Sequence, residues 1–116
     1  MNYRFINTEY LDSVADGDSS IVKELVELFR EQVREFNSEM KSLLDRKDYH
    51  PLGMLAHKAK SSVAIMGMAG LANMLKDFEL QAKEGRETEK FESYIKRFFD
   101  ETRVAVTELD DYLSNL

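Results

Sequence analysis

Residues 18–46 read DSSIVKELVELFREQVREFNSEMKSLLDR. Within them Val22, Leu25, Phe29, Val33, Phe36, Met40 and Leu43 recur at intervals of three and four, the spacing that lines one face of an α-helix. Asp18 suits the N-cap, where a carboxylate accepts from the unpaired N–H groups of the first turn. The stretch therefore predicts one long amphipathic helix from Asp18 to about Arg46.

Working outward, breaks fall only at Asp16-Gly17-Asp18, Lys47 to Pro51, Gly67 to Gly70 and Gly85 to Thr88. Pro51 fits the first turn of a second helix, since the N–H it lacks would be unpaired there, and Gly67 is a natural stop. A third segment sets Leu71, Leu75, Phe78 and Ala82 on one face and ends at Gly85. A fourth runs through Phe91, Ile95, Phe98, Thr102, Ala105, Leu109 and Tyr112. Ahead of them all, Asn7 to Ala15 predicts a short helix whose Tyr10, Leu11 and Val14 cover one end of the core. Short connections favour antiparallel neighbours, so the expected fold is all-α: an antiparallel up-and-down four-helix bundle with a short N-terminal helix.

Composition agrees with a single domain over residues 1–116. The chain has 116 residues, one proline and five glycines, and no alternating β-branched runs bounded by turns. Its net charge of −6 opposes binding to nucleic acid or to anionic membranes, which attract basic patches. With no cysteine there is neither a disulfide nor a thiolate metal site. Met1 to Asp12 lacks a signal-peptide apolar region, and no apolar run approaches the roughly 20 residues of a membrane span. A cytoplasmic location is expected.

The second helix carries His57. At about 100° per residue, Leu52, Leu55, Ala56, Ala59, Val63 and Met66 fill an arc nearly opposite this histidine, which therefore points outward. Around it lie Gly53 and Met54 in the preceding turn, Lys60 and Ser61 in the following one, then Ala64 and Ile65. Apart from Lys60 these residues are small or apolar, an odd choice for a solvated surface in a chain that is 33% charged. By type alone a lone histidine is a solvated or hydrogen-bonded residue of no special role. Its position instead suggests an imidazole that something approaches closely. A neutral imidazole is a competent nucleophile and can form a phosphoramidate, and Lys60 at i+3 can hold phosphoryl oxygens as a point charge. Gly67, where the helix stops, and Met68 just past it join the docking surface expected from Gly53, Met54, Ser61, Ala64 and Ile65.

The stretch His57-Lys58-Ala59-Lys60-Ser61-Ser62-Val63-Ala64-Ile65-Met66-Gly67 resembles the motif of the histidine-containing phosphotransfer domains of multi-step His-Asp phosphorelays. That motif is His, two residues, Lys, a small residue usually Gly, and a Gly ten positions after the His. His57, Lys60 and Gly67 match, while Ser61 stands where the family commonly has glycine. The resemblance extends over most of the chain through the long preceding helix and the two that follow. By periodicity Glu79 is a polar neighbour of Phe78 on a solvated face. The resemblance implies a different role, because in this family a Gln or Glu twenty-two positions after the histidine bonds and orients the imidazole.

The resemblance further implies a phosphorelay intermediate without ATP-dependent kinase activity. His57 would accept a phosphoryl group from a receiver-domain aspartate and pass it to another receiver, with magnesium supplied by the receiver and no cofactor of the chain's own. Response-regulator receivers are the implied partners, and a hybrid sensor histidine kinase is a further one. Alternatives are a module of the same fold that docks on a receiver without being phosphorylated, an adaptor bundle outside any phosphorelay, and the phosphotransfer region of a larger kinase. No glycine-rich loop of nucleotide-binding type is present. His50 lies seven residues before His57, not at the i, i+4 spacing of helical zinc sites, so no metal is expected. Met66 and Met74 read as core filler, as do Phe29, Phe36, Phe78, Phe91 and Phe98. The charged runs Lys23 to Glu27, Arg30 to Glu35 and Lys83 to Lys90 read as solvated faces and a loop, and nothing demands more than a monomer.

Overall fold

A computed structural model describes residues 3–116. Asp18 takes the N-cap position, its carboxylate accepting from the N–H groups of Ser20 and Ile21, and the helix it opens, α2, spans Ser19–Asp45. At 27 residues α2 is about 40 Å long, which accounts for most of the molecule's 43 Å long axis. The chain then turns back into α3 (Tyr49–Ile65), α4 (Ala69–Glu84) and α5 (Phe91–Ser114), the last preceded by one turn of 3-10 helix at Thr88–Lys90. Successive helices pack against each other and α5 closes the ring on α2, so the order around the bundle is α2, α3, α4, α5. Among the described residues no helix is long and apolar enough to cross a membrane.

The core is filled mostly by the stripes that the periodicity picks out, with Val26 added to that of α2, while Leu25, Leu43, Ile95 and Tyr112 are half-buried at its margin. Phe29, Phe78, Phe91 and Phe98 are fully buried, and Phe36 meets Phe98 edge-on between α2 and α5. The buried hydroxyl of Thr102 donates to the carbonyl of Phe98, so no polar group is stranded there. α3 begins two residues before Pro51, which still falls in the first turn, and Tyr49 uses that extra length to pack edge-on against Phe91.

The short helix α1 (Thr8–Val14) closes one end of the bundle, but with a different face from the one expected. Leu11 and Ala15, one turn apart, are buried together with Ile6, whereas Tyr10 and Val14 are exposed. Seven residues form barely two turns, so only one i, i+4 stripe can face inward, and Tyr10 and Val14 lie on the next stripe. The lead into α1 is fixed by α5: the Glu108 carboxylate accepts from the backbone N–H groups of Arg4, Phe5 and Ile6. The N–H of Asn7 donates to the carbonyl of Met66 in the α3–α4 turn.

Candidate functional site

α3 presents its core face as the helical geometry requires: Leu52, Leu55, Ala56, Ala59, Val63 and Met66 are all buried, and the side chain of His57 is 55% exposed. One turn before the histidine, Gly53 faces α4 rather than solvent. A Cβ placed on it would lie 2.8 Å from Cγ of Lys83 and 2.9 Å from the carbonyl oxygen of Glu79. The missing side chain lets the two helices approach at this level, and that approach brings Glu79 of α4 to His57 of α3.

The contact runs from Nδ1 of His57 to Oε1 of Glu79 at 3.0 Å. Two lysines converge on the same carboxylate: Lys60 donates to Oε1 at 3.3 Å, and Lys83, one turn beyond Glu79 on α4, donates to Oε2 at 2.8 Å. The Glu79 side chain is only 11% exposed. Burial alone would push its carboxyl group up, but hydrogen bonds from Lys83, His57 and Lys60 outweigh that and hold it down at about 2. Glu79 is therefore ionised at neutral pH.

An ionised carboxylate only accepts hydrogen bonds, so the ring nitrogen facing it must carry the proton. In the neutral imidazole this places the hydrogen on Nδ1 and leaves the lone pair on Nε2, in a side chain that is mostly exposed. The arrangement is an imidazole with one nitrogen committed to Glu79 and the other left free, and two ammonium groups bonded to the same carboxylate. Chemically it can act as a nucleophile whose developing positive charge is met by a buried anion.

Of the residues expected on the docking surface, Met54 is 49% exposed, Ser61 and Ala64 are exposed, and Ile65 is half-buried at the edge. Two expectations, those for Gly53 and Met68, need correction. Gly53 is buried because α4 packs over it. Gly67 is half-buried and also serves the backbone: its φ of +76° favours glycine, and a Cβ there would come within 2.4 Å of the Asn7 side chain. Met68 is 3% exposed, since the turn into α4 folds its side chain into the core.

The structure also brings up residues that sequence reasoning passed over. By sequence Lys83 falls in a charged run that reads as solvated, although its i+4 spacing from Glu79 is a readable signal. Leu28 of α2 is 51% exposed and lines a cleft with His57, Ser61 and Ile65 between α2 and α3. Its signal was an apolar side chain lying off the buried stripe of α2. Ser62, buried in the same wall, donates to Gln32 at 2.8 Å and ties α3 to α2. His50 is exposed in the first turn of α3 and takes no part in the His57 cluster.

Comparison with known families gives a match to the Hpt domain over residues 24–116, from the second turn of α2 to Leu116. No curated protein and no solved structure matches the chain. The matched span holds His57, Glu79 and both lysines, together with α3, α4, α5 and all but the first turn of α2, and the chain belongs to the Hpt domain family.

Proposed function

We propose that His57 accepts a phosphoryl group from the phosphoaspartate of a response-regulator receiver domain and later yields it to the aspartate of a second receiver. Hpt domains are phosphotransfer carriers in phosphorelays and interact with receiver domains. The observation that carries the finer reading is the bond from Nδ1 of His57 to Glu79, which commits one ring nitrogen and turns the other outward.

In the first step Nε2 attacks phosphorus in line. The Nε2–P bond forms as the P–O bond to the aspartate breaks, and the aspartyl carboxylate leaves with the electron pair. The Nδ1 proton stays on the ring, so the product is a phosphoimidazolium whose positive charge faces Glu79. The second step reverses these bond changes with a different aspartate. In such transfers the protein's part is positioning and charge stabilisation, and Lys60 supplies a cation one turn from the nucleophile. Magnesium comes from the receiver, and the chain requires no cofactor and no ATP. Met54, Ser61, Ala64 and the flank of Ile65, with Leu28 across the cleft, form the surface on which the receiver docks. The chain works as a cytoplasmic monomer that relays between receivers, the first of which can belong to a hybrid sensor histidine kinase.

The test is to mix the protein with a labelled phospho-receiver and magnesium and follow label that is acid-labile and alkali-stable. Label on the wild type and none on His57→Gln is the expected result. Stable binding to receivers with no label on the wild type would replace this reading with that of an unphosphorylated docking module.

A further inference from the structure

Glu79 stands against two lysines whose positions differ in a way that bears on the reaction. Lys60 belongs to the same helix as His57, one turn on, and shares Oε1 of Glu79 with the imidazole. Lys83 belongs to the helix of Glu79 and holds Oε2 alone, at the shorter distance of 2.8 Å. When a phosphoryl group sits on Nε2, its oxygens attract the nearest mobile ammonium, and Lys60 is placed to swing toward them. If Lys60 were the only cation at Glu79, that move would strip a mostly buried carboxylate of its counter-charge, and burial without a partner is costly. With Lys83 in place the carboxylate keeps one ammonium and the imidazole N–H after Lys60 leaves.

Resting on the reading of His57 as phosphoryl acceptor, we infer that Lys83 is a positioning residue for the transfer: it anchors Glu79 through Oε2 so that Lys60 is free to leave Oε1 for the phosphoryl oxygens. The two lysines then have separate tasks. Lys60 follows the phosphoryl group, and Lys83 stays. No bond is made or broken by Lys83, and no proton moves at it. Its effect on the rate passes through Glu79 and Lys60.

The experiment is a double-mutant cycle on phosphoryl transfer from a labelled receiver, using Lys60→Met, Lys83→Met and the pair, with Lys83→Arg as the charge-conserving variant. Lys83→Met slows transfer about ten-fold, the loss expected for one charge-assisted hydrogen bond. Lys83→Arg restores most of the rate. In the Lys60→Met background, removing Lys83 adds little further slowing, because the lysine it would release is gone. In parallel, the Lys60 ammonium resonance is followed by NMR before and after phosphorylation: it shifts in the wild type and stays put in Lys83→Met. Additive slowing in the double variant, or a Lys60 resonance that shifts equally without Lys83, overturns the inference. Absence of label on the wild type instead overturns the reading of His57, so the two failures are distinct.

Discussion

Gly53→Ala isolates the helix approach on which the site depends. At an open position in a helix this change would stabilise the protein by about 1 kcal/mol through lower chain entropy in the unfolded state. Here the new methyl group meets the Glu79 carbonyl oxygen at 2.9 Å and Cγ of Lys83 at 2.8 Å. The lysine side chain can turn away, but the carbonyl belongs to the backbone of α4. Opening that contact to an ordinary 3.4 Å moves α4 by roughly 0.5 Å at Glu79. Overpacking of this kind costs about 1–3 kcal/mol, so the net change is a loss of about 1 kcal/mol, or about 4 °C in melting temperature. The larger consequence is local. A 3.0 Å bond between His57 and Glu79 stretched by the same displacement reaches about 3.5 Å, beyond useful hydrogen-bond length. Nitrogen NMR of the imidazole measures this directly: wild type holds the proton on Nδ1, and Gly53→Ala shows a mixture of the two tautomers. A variant that melts about 4 °C higher with the Nδ1 proton still in place would refute the packing argument.

Other perturbations separate stability from chemistry. His57→Gln changes unfolding free energy by less than about 0.5 kcal/mol in urea titrations, because the exposed ring contributes little packing and the Gln amide can donate to Glu79 in place of Nδ1. Glu79 is held at about 2 in the folded protein against an ordinary value of 4.5, so its contribution to stability is full above the ordinary value and is lost as pH falls from about 4.5 toward 2. The stability gap between wild type and Glu79→Gln should therefore narrow across that window, and a gap constant with pH would contradict the assigned ion cluster. Glu108→Ala removes the acceptor of three backbone N–H groups and costs about 1–3 kcal/mol. Amide exchange at Arg4, Phe5 and Ile6 should accelerate far more than at Phe78 in the core.

How far the sequence could be read follows from which forces each inference used. Helical period alone places Phe29, Phe36, Phe78, Phe91 and Phe98 inside, because burial of a stripe is what holds a helix in a bundle. Asp18 marks the start of α2 because capping is a local interaction within three residues. A helical wheel, however, contains one helix and no neighbours. It puts Gly53 and His57 on the same outward side, while the bundle puts α4 over one of them and solvent over the other. Met68 escaped for the same reason, since the inward fold of the α3–α4 turn is set by packing rather than by any period. Glu79 is the inverse case. Polarity argues for exposure, and only the convergence of His57, Lys60 and Lys83 makes its burial tolerable. Family resemblance supplied what periodicity lacked at Glu79 and had nothing to say of Lys83.

On the proposed function, the division between an exposed acceptor histidine and a buried orienting carboxylate has a mechanistic reason. A histidine with two free nitrogens can react through either, and each route would demand its own docking geometry. Committing Nδ1 to Glu79 leaves Nε2 as the one nucleophilic atom, fixed by a helix pair rather than by a loop. The commitment holds only while Glu79 is ionised, and in a site this buried ionisation needs cations within bonding distance. Lys60 shares Oε1 with the imidazole, and Lys83 adds a second cation on Oε2 without crowding that oxygen further. Gly53 sets the helix approach, the approach sets the carboxylate, and the carboxylate sets which nitrogen faces the partner. On the proposed function a docking receiver would then meet one acceptor atom in one orientation, with the remaining chemistry left for it to bring.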